Sequence, residues 1–192
     1  METVESVLEF WLSEIGPDGW YKADDVVDDA IRARFLSDWQ AAHDGKREGW
    51  RADARGALAY LILTDQFPRN MFRGDPRSFE TDARARAATE EAIAHGWDMA
   101  IAEPERQFFY MPLMHSERMA DQDRCVALIE SSMPETGPAH LTHARAHREV
   151  ILRFGRFPFR NDALGRETTA EEAGFLAEGG YGSIVRGLEN KR

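Results

Sequence analysis

Apolar residues recur at helical spacing along nearly the whole of this chain. Val4, Val7, Leu8, Trp11, Leu12 and Ile15 fall at i, i+3, i+4 and i+7 intervals, so they predict a first amphipathic helix, turned by Gly16-Pro17-Asp18-Gly19. Val27, Ile31, Phe35, Trp39 and Ala42 repeat the pattern in a longer helix, with Asp24 or Asp25 placed to cap it and Gly45 to end it. The run Gly56 to Leu63 is apolar on all sides, which predicts a central helix surrounded by others. Further helices are predicted from Thr81 to His95, from Glu103 to His115 with a kink or end at Pro112, from Asp121 to Met133, and from Pro138 to Phe154. Thr168-Thr169-Ala170-Glu171-Glu172 reads as a capping box opening a short final helix, closed by Gly179-Gly180. No segment alternates with period two. The expectation is an all-α fold of about eight helices in antiparallel pairs, in a single domain over 1–192 with no linker.

A phrase occurs twice: Gln66-Phe67-Pro68-Arg69-Asn70, and Arg156-Phe157-Pro158-Phe159-Arg160-Asn161. Each copy follows a helical run, and each proline is expected to break its helix and set Arg and Asn just beyond. Two similar polar corners are expected. Asp65, beside the apolar helix, needs a partner, because an unpaired buried carboxylate is costly, and Arg69 or Arg73 can supply it. Two readings stand. One is a structural corner locked by Asp–Arg and Asn–backbone bonds over Phe67 and Phe72; the other is an anion site in which Arg69, Arg73, Arg156 and Arg160 present planar donors to a phosphate or carboxylate.

The Pro138–Phe154 helix carries His140, His143 and His147 on the arc of Ala144, Val150, Ile151 and Phe154, a span of roughly 120° at 100° per residue. His143 and His147 stand at the i, i+4 spacing that lets two imidazoles reach one metal ion, with His115 or Glu117 as a third ligand. The competing reading is three core or half-buried histidines bonded to backbone carbonyls or a carboxylate, with no metal and no cofactor. Trp11 and Trp39 read as core, while Trp20 and Trp50, in turn-rich segments, are the better candidates for a surface role, with packing the favoured reading even there.

Composition narrows the field. Of 192 residues, 43% are apolar and 30% charged, which excludes wholesale disorder, and the net charge of −10 argues against general nucleic-acid binding. Residues 1–50 hold twelve acids against five bases, whereas residues 140–166 hold six arginines against two acids, so a basic surface can exist on an acidic protein. Cys125 lies among helical apolar residues and reads as a core filler. No signal peptide or long apolar run is visible, so the chain reads as cytoplasmic, without a membrane span.

Longer phrases carry a resemblance. Val7-Leu8-Glu9-Phe10-Trp11, Gly19-Trp20-Tyr21, Leu63 through Gly74, Glu105 through Glu117, and His147 through Asn161 resemble the bacterial family catalogued as domain of unknown function 924, across nearly the whole chain. That resemblance implies a tetratricopeptide-like helical fold, although the chain does not display the tetratricopeptide consensus. Where relatives often carry histidine after the second Phe-Pro, this chain has Phe159. The family brings no established catalytic residue.

Three functions are open. The first is a binding protein whose groove, lined by Asp65, Arg69, Asn70, Arg73, His115, His147, Arg156, Arg160 and Asn161, holds a small anionic metabolite. The second is a helical-repeat-like scaffold holding a peptide. The third is a hydrolase or transferase with His147 as general base beside Glu117 or Asp65. No nucleophile elbow, phosphate loop or dinucleotide fingerprint is present.

Overall fold

The computed structural model describes residues 1–190, which are all-helical, with no strand among them. Met1–Pro112 form one compact unit, and Leu113 opens a second. The boundary falls inside the helical turn Met111–Met114, not at a shift in composition. Among the described residues no helix is long and apolar enough to cross a membrane.

In the first unit, α1 (Val4–Leu8) is capped by Thr3 and Ser6 and runs on through a π-helical stretch, Glu9–Ile15. Helix α2 (Asp25–His43) begins where the Asp24 carboxylate accepts from the amides of Val26 and Val27. Such a cap satisfies donors that the first turn cannot satisfy within the helix. Helix α3 (Ala54–Leu61) is the central one, with every residue from Ala57 to Leu63 buried, as its all-round apolar sequence predicts. Gly56 is required there, because a Cβ would lie 1.9 Å from the carbonyl oxygen of Trp50. Helix α5 (Asp82–Ala94) completes the long elements of this unit. Phe67 sits at the middle of an aromatic cluster, with its ring centroid 4.7 Å from Phe35, 5.5 Å from Trp11 and 6.1 Å from Phe10.

Pro68 does not break its helix, contrary to expectation. The chain passes from α3 through a π-helical stretch, Ile62–Gln66, directly into α4 (Phe67–Met71). Proline lacks an N–H and its ring crowds the carbonyl four residues back. That carbonyl belongs to Thr64, and the Thr81 hydroxyl donates to it at 2.6 Å. The widened π-turn makes room for the ring, and Thr81 supplies the missing donor. The second Phe-Pro behaves differently, because its helix has already ended at Gly155, in the left-handed conformation at φ 67°, and Pro158 opens a 3₁₀ turn, Pro158–Arg160. The two corners share letters but not backbone.

The second unit is built on a helical hairpin of α6 (Met119–Ser132) and α7 (Gly137–Phe154), whose antiparallel run is stitched by Arg145–Glu130 and Arg148–Asp123. Cys125 is buried there, and burial pushes its thiol pKa up, as expected of a core filler. Thr169 and Glu172 form the predicted capping box of α8 (Ala170–Ala177). Gly179-Gly180 does not end the fold, however. Gly180 begins a further helix, α9 (Gly180–Glu189), and its Tyr181 and Ile184 pack on a core of Val150, Ile151, Phe157 and Phe175.

One more expectation is corrected. The stretch Glu103–His115 is not one helix but a 3₁₀ turn, Glu105–Phe109, followed by the short Met111–Met114 turn. Trp20 packs in the core, the favoured of its two readings, and its indole N–H donates to the Trp11 carbonyl at 2.7 Å.

Candidate functional site

The first-unit corner is a lock of ion pairs. The Arg69 guanidinium donates to the Asp65 carbonyl at 2.6 Å, pairs with the Asp65 carboxylate at 3.4 Å, and forks onto both Asp82 oxygens at 3.0 and 3.1 Å. Burial opposes its charge, but Asp65 and Asp82 outweigh burial and raise its pKa. Asp65 therefore finds Arg69, one of its two expected partners. Arg73 and Asn70 instead reach back to Asp28 on α2, with Asn70 Nδ2 donating at 2.8 Å and Arg73 Nη2 at 2.9 Å. The expected bond from Asn70 to the backbone is thus replaced by one to a side chain. A 440 Å³ cleft passes Asn70 and Arg73, lined by Arg32 and Arg77 but also by Asp25, Asp28, Asp29 and Asp75. Four acids against three arginines give no excess positive field for an anion.

In the second unit Arg156 is similarly committed. It forks onto Glu172 at 2.6 and 2.8 Å, and Glu172 also accepts from Asn161 Nδ2 and from the Thr169 amide. Arg156 first, then the Thr169 amide, hold the Glu172 carboxyl down to about 2. Glu117 accepts two bonds from Arg166, at 2.8 and 2.9 Å, and one from the Phe157 amide at 2.9 Å. Burial would raise its pKa, but these donors outweigh burial and lower it.

A different set gathers around His147. Its Nδ1 lies 2.9 Å from the His143 carbonyl oxygen, so Nδ1 carries the proton and Nε2 the lone pair. Its ring meets Tyr181 at 4.6 Å, Phe157 at 5.5 Å and His115 at 6.2 Å between centroids. Burial, then the neighbouring His115, with smaller contributions from Arg160 and His143, depress its pKa to about 3 against the opposing carbonyl bond. Arg160 is 6% exposed, donates to the His115 carbonyl at 2.9 Å, and lies 4.5 Å from the Phe157 ring centroid. The cluster therefore combines a fixed guanidinium with a neutral imidazole.

Two features were missed at the level of sequence. Tyr181 joins the cluster, and its hydroxyl lies 2.6 Å from His143 Nδ1, with burial pushing its pKa up. Tyr181, Ile184, Val185 and Leu188 stand at i, i+3, i+4 and i+7, the signal by which α9 could have been found. His143 is exposed, unlike the stripe it was assigned to. Among the described residues no group of three or more His, Cys, Asp or Glu is placed to hold a metal ion.

The shifts of His147 and Glu172 act in one direction with pH. A histidine kept neutral by the fold binds a proton more readily once unfolded, so its contribution is complete above 6.5 and is lost as pH falls towards 3. Glu172 adds a further loss between 4.5 and about 2. The urea midpoint is expected to fall steadily on acidification from pH 6.5, and His147→Gln should flatten the part of that decline above pH 4.5. A profile that His147→Gln leaves unchanged would contradict an imidazole that the fold keeps neutral.

A model of the family described as bacterial protein of unknown function (DUF924) matches residues 7–180. A solved structure, the protein of unknown function ATU0120 from Agrobacterium tumefaciens, is 40% identical, with a TM-score of 0.85 over 91% of this chain and 97% of that one. No curated protein matches.

Proposed function

Taking as premise that the chain belongs to the bacterial DUF924 family, we propose that its second unit binds a small anionic metabolite, a carboxylate or phosphate, through Arg160, His115 and His147, with Tyr181 beside them. The observation that carries this reading is the Arg160 guanidinium, held on the Phe157 ring by the His115 carbonyl and set near a neutral imidazole. Burial weakens water's competition for such a cation, and a planar fork suits oxyanions. His147, neutral and with its Nδ1 proton committed to the His143 carbonyl, accepts at Nε2, so it suits a hydroxyl or protonated oxygen of the ligand, while Arg160 meets the charge.

The other residues of the expected groove are held elsewhere. Asp65, Arg69, Asn70 and Arg73 satisfy one another and Asp28 or Asp82 within the first unit, while Arg156 and Asn161 meet at Glu172. A general-base role for His147 gains nothing from its proposed companions. Glu117 is held by Arg166 and the Phe157 amide, and the Nδ1 of the imidazole is taken up by the His143 carbonyl rather than by a carboxylate.

NMR titration of the histidine ring signals tests the reading, with inorganic phosphate and succinate as separate probes. Saturable shifts at His115 and His147 with one probe are expected. Arg160→Lys keeps the charge but loses the fork, and should weaken binding roughly tenfold to hundredfold, the worth of a charge-assisted bond. Should Arg160→Lys perturb folding, Tyr181→Phe offers a milder probe of the same cluster. Histidine signals that respond to neither anion would overturn the proposal.

A further inference from the structure

The opposite face of α7 from His143 and His147 carries a second feature. At 100° per residue, Arg145, Arg148, Glu149, Leu152 and Arg153 fall on an arc of roughly 140° whose centre lies about opposite the two histidines. Beside this arc lies a groove of about 550 Å³ between α6, α7 and α9. Its floor is apolar, made by Val126, Ile184 and Leu188, all half-buried. Leu152 stands on the same face, 58% exposed.

Charge at the rim is divided between satisfied and unsatisfied groups. Arg145 pairs with Glu130 at the groove edge, and Arg148 pairs with Asp123 at 2.6 Å. Glu149 and Arg153 are one helical turn apart, a spacing that often forms an ion pair. Here they form none among the described residues, because the Arg153 guanidinium lies instead over Phe154 and Phe175, at 5.2 and 5.3 Å from their ring centroids. Among the described residues the rim keeps one acid and one base without an ion partner, Glu149 and Arg153, and no net excess between them.

We infer that this face is a two-fold interface with a second copy of the same chain. A two-fold contact is made by one patch meeting itself, so the patch must hold both halves of every interaction. This one holds an acid and a base for reciprocal Glu149–Arg153 pairs, and a protruding Leu152 beside an apolar groove that can receive it. A strongly acidic or basic partner would satisfy only one of the two rim charges. With a net charge of −10, two copies repel at long range, and a locally neutral apolar patch is where that repulsion is weakest. The interface stands independently of the anion site, which lies on the other face of α7.

Sedimentation velocity of the full chain over a concentration series tests the inference. A monomer–dimer equilibrium is expected. Leu152→Asp should leave only monomer, while Glu149→Arg and Arg153→Glu should each weaken the dimer at least ~10-fold, the scale of a like-charge clash. The double reversal, Glu149→Arg with Arg153→Glu, should restore most of that loss. Circular dichroism separates interface effects from misfolding, which these surface positions should not cause. A monomer at every concentration, or a dimer indifferent to all of these changes, would overturn the inference and leave the groove to a small ligand or a different protein.

Discussion

Arg69→Ala is expected to destabilise the protein by ~3–5 kcal/mol, the cost of removing one member of a buried ion pair. Asp65 is 1% exposed, and its side chain faces a guanidinium that is itself only 20% exposed. Alanine would withdraw the cation that both Asp65 and Asp82 address, together with the donor to the Asp65 carbonyl. The two carboxylates would then have to protonate or draw in water, and either response costs folding free energy. Arg69→Lys restores a charge but cannot fork onto Asp82 while also reaching the Asp65 carbonyl, so it should recover only part of the loss. Urea unfolding measures this directly, and the expected change is a large fraction of the stability of an ordinary domain. A loss below ~1 kcal/mol, within the range of an exposed salt bridge, would mean that the corner is not a structural lock.

Phe67→Ala is expected to cost a similar ~3–5 kcal/mol for a different reason. Phe67 is fully buried, and its ring touches those of Phe35, Trp11 and Phe10 in tilted and edge-on arrangements. Truncation removes the transfer free energy of the ring, and it leaves a cavity that α3 and α4 cannot close, because Pro68 and the Thr81–Thr64 bond hold the backbone there. Phe67→Leu fills most of the volume and should cost clearly less. Thermal unfolding would register the alanine variant as a drop of about 6–20 °C, at the scaling for a chain of this size. Equal losses for leucine and alanine would show that the site relaxes around either side chain.

Both predictions turn on the Phe-Pro-Arg-Asn phrase, and its behaviour separates what was legible from what was not. The long helices were legible because their apolar period is strong over three or more turns. α2, α5, α6 and α7 stand where the period places them, α3 where its all-round apolar run does, and Asp24 and the Thr169–Glu172 box cap as their spacing implies. The local outcome at each proline was not legible. Pro68 stays helical because Thr81, thirteen residues further along, supplies the bond that proline cannot make, and nothing in the local sequence marks that donor. Gly179-Gly180 reads as a stop, yet α9 starts at Gly180, where its packing on α7 outweighs the glycine penalty.

Charged residues show the same division. That Asp65 needed a cation followed from its place beside an apolar helix, and Arg69 lies within one turn of it. The pairing of Arg73 and Asn70 with Asp28 spans more than forty residues of chain, and that of Glu117 with Arg166 spans forty-nine. Helical periodicity states which way a side chain points but not what lies opposite, so His143 and His147 shared an arc, yet His143 is exposed and His147 half-buried against Tyr181.

The sequence by itself determined the all-α class, most helix boundaries and the chemical types available to a site, because these follow from periodicity and capping over a few residues. Only the tertiary structure decided which arginines are spent on acids, and that Arg160, His115, His147 and Tyr181 stand together. Those outcomes depend on contacts between distant segments, which local spacing does not encode.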